Sequence, residues 1–480
     1  MFDLDHDQKE AIGLTFVLNK LMPDSPYGME KKKQIAPFGK AGRVAIDTCF
    51  DNMEKIVVFA KQEKHSLDRI RQQLMKLKNI RGIVKKCEQS FLNEVELFEM
   101  KGFLLIFQKL IDLFHEANEK IKLTNTDFKS MEDTLNILDP ECKRIAPFSI
   151  DEIHSSTLGE TRRKKLKVEM RIQSEPILRE TLMKERQQLV MEEAEEEMRI
   201  MEMLSRKLRV YTRTFLDNMD MIGELDLLIA KTQLALEYNA VRPKICDTPT
   251  IILNEMSNPY IEDSLAKKEE SLTKISITLT AGVTMITGAN MGGKSVAIKT
   301  MTLNTMLPQL GFFVFASVAE IPLFDGVALI SGDLQDIDQG LSTFGAEIIR
   351  FHEIVQQLKN DFLFVALDEF ARGTNPEEGA AIVRAVASYL SEASSVSVMT
   401  THYDNVVTPE FKHYQVVGLR NADIDKIHQQ GRAHIRRIAE YMDYTLIPAD
   451  SGMSPPRDAL NICRLIELDS EVLDRIEAEY

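Results

Sequence analysis

The sequence predicts an α + α/β chain, in which a long all-helical core and lever region is followed by an α/β domain built on a phosphate-binding loop. Three observations predict it. Proline is absent from Phe38 to Asp139 and again from Ile177 to Arg242, while apolar residues recur there at helical spacing. Beyond Pro243 the pattern changes to short apolar runs alternating with helical segments. Within that second half, Gly288-Ala-Asn-Met-Gly-Gly-Lys-Ser295 fits Gly-x-x-x-x-Gly-Lys-Ser.

In chain order, residues 1–139 read as a helical core and first lever arm. Leu67, Ile70, Leu74 and Leu77, then Phe103, Leu104, Phe107, Leu110 and Phe114, fall on helical faces that pack a core. Residues 140–176 contain Pro140, Pro147 and Pro176 and read as a short irregular tip, with the basic run Arg162-Arg-Lys-Lys-Leu-Lys167 on it. Residues 177–242 read as one very long returning helix or two in line, and the acidic cluster Glu192–Glu197 as a solvated face of it. Residues 243–480 form the α/β domain. Strands are expected at Ile275–Leu279, Val283–Thr287, Phe362–Leu367 and Val396–Met399, with further apolar runs at Phe312–Phe315 and Val327–Ile330.

Composition bounds the partners. The chain has 480 residues, 44% hydrophobic, with a net charge of −15, which argues against coating nucleic acid by charge alone. Cys49, Cys87, Cys142, Cys246 and Cys463 are scattered and odd in number, which fits a reducing compartment without structural zinc. The start of the chain carries no secretory pattern, and no apolar run approaches a membrane span, so a soluble cytoplasmic protein is expected.

The chemistry begins at the glycine loop. Strand Val283–Thr287, the loop, and a helix from Val296 to Met306 that Pro308 ends supply the context the motif needs. Backbone N–H groups and the helix N-terminus then face a triphosphate. Lys294 reaches the β- and γ-phosphates, and the Ser295 hydroxyl binds Mg²⁺. Phe362-Leu-Phe-Val-Ala-Leu-Asp-Glu369 is an apolar strand ending in two acids. Asp368 is the expected Mg²⁺ ligand, and Glu369 the residue that orients or deprotonates the attacking water. Asn375, Pro376 and Glu378 read as a capping box, which leaves Arg372 and Thr374 as the functional candidates beside the phosphates. His402, directly after a strand, is expected at the C-terminal edge of the sheet, against the γ-phosphate or the water.

Thr287-Gly-Ala-Asn-Met-Gly-Gly-Lys-Ser, Leu341-Ser-Thr-Phe, Leu367-Asp-Glu-Phe-Ala-Arg-Gly-Thr and Thr400-Thr-His-Tyr, in that order, resemble the MutS-type ATPases. The likeness covers the chain from about Arg242 onward, and is closer to the MutS paralogues that lack the mismatch-reading domain. It implies a P-loop, ABC-like ATPase domain that uses ATP and Mg²⁺ and works as a homodimer or as a dimer with a related subunit. It implies a nucleotide-binding set of Gly288, Asn290, Gly292, Gly293, Lys294 and Ser295. Ser342 and Thr343 would lie across the interface from the partner's nucleotide, with Arg372 also at the interface. Tyr444 onward resembles the final strand, and Leu460–Ile476 a closing dimerisation element. Two departures stand out. Asn258-Pro259-Tyr260 replaces Arg-His-Pro, and Leu341 replaces an arginine. Together with the short tip, and with no mismatch-reading domain expected before the helical core and no nuclease domain expected after Tyr480, they leave mismatch recognition and strand cleavage without support.

Two clients fit such an ATPase. The first is duplex or branched DNA, in the manner of repair and recombination proteins, with Arg162, Arg163, Lys164, Lys165 and Lys167 as its contacts. That run reads equally well as a solvated loop. The second is a protein, since chains with an abbreviated clamp resemble the ATPase subunit of factors that reactivate adenosylcobalamin-dependent lysine aminomutases. A structural dimer with a dead nucleotide site is disfavoured by the intact Lys294, Ser295, Asp368 and Glu369.

Overall fold

The computed structural model describes residues 4–288, 293–331, 343–403, 405–419, 442–449, 458–465 and 468–479. They fall into two compact units. One is Met22–Ile35 with Asn52–Thr232, and the other is Met1–Leu21, Ala36–Asp51 and Gln233–Tyr480. Among the described residues no helix is long and apolar enough to cross a membrane.

The first unit is helical, and its principal helices are α1 (Lys64–Leu74), α2 (Arg81–Gln89), α3 (Glu94–Ile121), α4 (Ser156–Ser174), α5 (Arg179–Arg209) and α6 (Thr212–Glu237). α3 starts where Asn93 and Glu96 cap each other reciprocally, at 2.9 Å in both directions. Its apolar positions recur every three to four residues, so Phe103, Phe107, Leu110 and Phe114 share one buried face. The rings of Phe103 and Phe107 stack at 5.7 Å, and Phe103 meets Phe215 of α6 at 6.0 Å. Truncating Phe107 to alanine would cost about 3–5 kcal/mol, because a fully buried ring leaves a cavity.

The segment expected to be an irregular tip is largely helix. Its prolines stand only at 140, 147 and 176, and α4 occupies the proline-free stretch before Pro176. Ser155 starts it as N-cap, accepting from the Leu158 N–H. α4 and α5 run antiparallel, as the ion pairs Arg162–Glu193 and Glu169–Arg186, both at 2.8 Å, require. The turn between them is Glu175–Leu178, with Pro176 opening it. The basic run therefore lies along α4 and not at a loop tip. The returning segment is two helices, α5 and α6, which part at Val210 and Tyr211.

The second unit holds two sheets. The smaller runs β1 (Lys244–Cys246), β5 (Val318–Pro322), β2 (Thr250–Met256), β3 (Ile275–Thr280). The larger runs β10 (Asp443–Pro448), β9 (Lys412–Gly418), β4 (Gly282–Thr287), β8 (Val396–Thr401), β7 (Leu363–Asp368), β6 (Gly326–Ser331). It is parallel throughout except for the edge pair β9–β10. β4, β7 and β8 are buried at every position, as expected of parallel strands covered on both faces. The helices α7 (Pro259–Ala266), α8 (Lys294–Gln309), α9 (Thr343–Leu358), α10 (Pro376–Ser391), α11 (Asp458–Leu465) and α12 (Ser470–Glu479) also belong to it. α8 carries Pro308 within its last turn rather than ending before it, because a proline there removes only one helical bond. Phe312–Phe315 is not a strand; only Val314 bridges, to Val241. The architecture is thus a long helical region followed by a P-loop ATPase fold.

Candidate functional site

Register places the site. β4 and β8 pair from Gly282↔Val396 to Thr287↔Thr401, and β7 pairs β8 with Leu367 opposite Met399. Chain therefore leaves β4, β7 and β8 at the same edge of the sheet, the C-terminal edge, where open α/β sheets bind ligands.

Gly288 leaves β4 at φ +147°, and a Cβ there would lie 3.0 Å from that of Val416. Gly293 sits at φ +78°, with the Tyr444 ring where its Cβ would be, 2.8 Å away. Both positions therefore require glycine. Gly293 is also the N-cap of α8 and supplies no side chain to it, so the first N–H groups of that helix remain for an anion. Asn290 and Gly292 lie outside the described residues, as does Ser342; Thr343 begins α9, but its side chain is outside them too.

Lys294 is buried. Its Nζ donates to the Gly288 carbonyl at 2.7 Å and stands 3.5 Å from Oε1 of Glu369. Burial pushes the lysine pKa down, and Glu369 opposes that shift. Asp368 is buried too. Burial pushes its pKa up, while hydrogen bonds from Thr400 and Ser295 pull it back. The Ser295 hydroxyl and the Asp368 carboxylate thus meet directly. A hydroxyl and one carboxylate are the protein's usual share of a Mg²⁺ site whose other ligands are phosphate oxygens and water, so the donor set fits.

Glu369 is held at several points. Its N–H donates to Thr400 Oγ1 at 2.9 Å, and the same hydroxyl donates to Asp368 at 2.6 Å. Arg372 donates to Glu369 Oε2 at 2.7 Å. Glu369 and Ala371 adopt φ +48° and +63°, left-handed conformations that cost a non-glycine residue about 1–2 kcal/mol each. His402 follows β8 directly and is half-buried, its ring 4.4 Å from that of Tyr403. Asn375 caps α10 through the Glu377 N–H, whereas Glu378 accepts from the Thr374 hydroxyl and does not complete a capping box.

Beside Lys294 and Ser295 opens a cavity of about 730 Å³, walled by Ile261, Leu265, Leu272, Ile275, Met442 and Tyr444. Its apolar wall next to phosphate-binding groups suits a flat heteroaromatic base. Sequence reading did not single out Thr400, although the pairing of β7 with β8 puts it beside Asp368. It also missed Glu347 and Tyr403, which grip the turn after Glu369.

The basic run divides. Arg162 bonds Glu193 at 2.8 Å and Glu197 at 2.6 Å, and Lys165 also pairs with Glu193. Burial pushes the Glu193 pKa up, and Lys165 and Arg162 more than reverse this. The acidic cluster is therefore solvated only in part, at Glu192 and Glu195. Arg163, Lys164 and Lys167 are exposed.

Comparison with known proteins agrees with this geometry. The profile of MutS domain V matches residues 284–450. The chain is similar to Endonuclease MutS2 of Pediococcus pentosaceus, 32% identical over 290 residues, covering 59% of this chain and 34% of that protein. It is similar to Endonuclease MutS2 of Thermomicrobium roseum, 32% identical over 293 residues, covering 57% of this chain and 34% of that protein. To Endonuclease MutS2 of Geobacillus sp. it is 30% identical over 284 residues, covering 58% of this chain and 33% of that protein. The chain thus spans about a third of the length of these curated relatives. The phosphate loop and the paired acids at this sheet edge both lie within the stretch that matches MutS domain V, and over that stretch the chain is similar to the MutS-type ATPases.

Proposed function

We propose that this chain binds and hydrolyses ATP with Mg²⁺, as a dimer, and couples turnover to movement of its helical half on DNA. The observation that carries this reading is that Lys294 and Ser295, which line the cavity walled by Tyr444, meet Glu369 and Asp368. The N-terminus of α8 and Lys294 hold the phosphates. Ser295 and Asp368 would hold Mg²⁺, whose charge stabilises the phosphate oxygens. Glu369 orients the attacking water and takes its proton, and His402 stands by the γ-phosphate. Arg372, Ser342 and Thr343 belong to the dimer interface in this reading, and α11 with α12 to the dimerisation element.

The DNA client rests on relatives named Endonuclease MutS2 and on the exposed Arg163, Lys164 and Lys167 along α4. A protein client is favoured by a different observation. Leu166, Met170 and Met183 are exposed near the α4–α5 turn, and Ile177 in the turn itself is 98% exposed. A cluster of exposed apolar side chains suits a protein partner.

Fluorescence anisotropy with duplex, mismatched and four-way DNA, with a non-hydrolysable ATP analogue and across a salt series, separates the two. Nucleotide-dependent binding that the Arg163→Ala/Lys164→Ala/Lys167→Ala variant loses supports the DNA client. Absence of binding at low salt overturns it and leaves the protein client, to be captured on ATP-loaded Glu369→Gln.

A further inference from the structure

α9 meets the turn after Glu369 along one face. Phe344, Glu347 and Phe351 stand at i, i+3 and i+7, the spacing that puts side chains on one stripe of a helix. A Cβ on Gly373 would lie 3.4 Å from that of Phe344, and the Phe351 ring lies 5.5 Å from that of Phe370. Between these two contacts, the Glu347 carboxylate accepts from the Ala371 N–H at 2.9 Å. Glu347 is 2% exposed and Ala371 is fully buried. Burial pushes the Glu347 pKa up, and the Ala371 N–H only partly offsets that.

A buried carboxylate that meets, among the described residues, one backbone N–H is a costly way to fill a core position. The turn it holds is itself strained, with Glu369 and Ala371 both at positive φ. Ala371 is gripped from the other side as well, since the Tyr403 hydroxyl donates to its carbonyl at 2.8 Å. Tyr403 in turn lies where a side chain on Gly379 would be, 2.3 Å from its hydroxyl, so its position leaves little freedom. Both polar groups of one peptide residue are thus fixed by side chains from separate elements, two residues beyond Glu369. Strained backbone persists only where its surroundings over-determine it, and these two bonds do so.

We propose that Glu347 is a positioning residue for hydrolysis: by holding the Ala371 N–H, with Tyr403 on the Ala371 carbonyl, it fixes the backbone that aims the Glu369 carboxylate. The inference rests on the ATPase reading and goes beyond it. It also makes α9, which begins at the Ser-Thr-Phe segment, mechanically continuous with the turn that carries the general base. Neither residue touches nucleotide in this account. They act through Glu369, so their loss should reach turnover and spare binding.

The test compares Glu347→Ala, Glu347→Gln and Tyr403→Phe with the unmodified chain. It reads the Kd of a fluorescent non-hydrolysable ATP analogue and, separately, kcat. For Glu347→Ala, the analogue Kd should stay within about threefold while kcat falls by about 10- to 100-fold, the size of effect that misplacing a reacting group produces. Glu347→Gln keeps an oxygen for the Ala371 N–H and should restore kcat to within about threefold. Folded Glu347→Ala with unchanged kcat would overturn the proposal. So would a folded Glu347→Gln as slow as Glu347→Ala, because the acceptor would then not be what matters. Should Glu347→Ala fail to fold, Tyr403→Phe decides: reduced kcat at unchanged affinity supports the proposal, and unchanged kcat overturns it. An unmodified chain that binds the analogue but never turns ATP over would refute the ATPase reading instead, and that outcome is visible before any variant is made.

Discussion

The Thr400 hydroxyl donates to Asp368 at 2.6 Å and accepts the Glu369 N–H at 2.9 Å, so one side chain of β8 ties together the two acids at the end of β7. Thr400→Val keeps the shape and removes both bonds. It should lower kcat by about tenfold or more and raise the Mg²⁺ concentration needed for half-maximal rate, because the carboxylate proposed to hold the metal and the proposed base both lose their anchor. A titration of rate against Mg²⁺ reads both effects. An unchanged Mg²⁺ dependence would show that Thr400 is only a packing residue.

In the proposed function, Asp368 is held for its chemistry at a cost to the unliganded fold. Burial raises its pKa above the unfolded value. A carboxyl with a raised folded pKa contributes stability at pH below the unfolded value near 3.8, and that contribution is lost as pH rises through the folded pKa. At neutral pH the charged form is therefore a burden. Asp368→Asn keeps an oxygen for Thr400 and Ser295. It should raise the Tm of the nucleotide-free chain by a few degrees while removing Mg²⁺-dependent turnover, and the Tm gain should vanish as the pH is lowered toward 4. Thermal melts at several pH values check it. A Tm decrease at pH 7 would contradict the assignment.

Tyr444 lies against Gly293 and walls the cavity beside Lys294. Tyr444→Phe should bind ATP about as well as the unmodified chain, whereas Tyr444→Ala should bind it about tenfold more weakly, the loss expected when a base loses one stacking face. Equilibrium titration with a fluorescent ATP analogue measures both. Equal affinity for the alanine variant would move the base elsewhere.

On the helical hairpin, Arg162 and Arg163 are neighbours in sequence with different surroundings, Arg162 half-buried and Arg163 exposed. Arg162 is spent on Glu193 and Glu197. Arg162→Ala should therefore destabilise α4 against α5 with no specific effect on nucleic acid. Replacing Arg163, Lys164 and Lys167 together should leave stability within about 0.5 kcal/mol, as for most surface changes. If DNA is the client, it should also flatten the slope of log K against log salt by about three, close to one per lost phosphate contact. Thermal melts and binding across a salt series separate the two classes.

The parts legible in the sequence were those in which residue order alone fixes geometry. The glycine loop sits between a strand and a helix, and the acids end an apolar strand, so Gly288, Gly293, Lys294, Ser295, Asp368 and Glu369 could be named before any coordinates. What register and packing decide was not legible. Thr400 acquires its role only because β8 lies beside β7, and Glu347 only because one face of α9 lands on Ala371. The hairpin was misread because proline was taken as the mark of irregular chain. Pro176 in fact makes the turn, and the stretch before it, capped by Ser155, is helix. Charge runs misled for a related reason. Glu193 reads along the chain as part of a solvated face, and Arg162 and Lys165 as either DNA contacts or a solvated loop, but helix pairing sets them against one another.

The most direct test of the account is the behaviour of Glu369→Gln. The variant should bind ATP with an affinity within about threefold of the unmodified chain, since Lys294, Ser295 and Asp368 are untouched. Its turnover should fall by about 10²- to 10⁴-fold, the contribution of a positioned general base. Both quantities come from one preparation, by equilibrium titration with a fluorescent ATP analogue and steady-state phosphate release. Tight binding with turnover lost is the predicted result. Tight binding with normal turnover would contradict the assignment of Glu369 and, with it, the reading of this sheet edge as the catalytic centre.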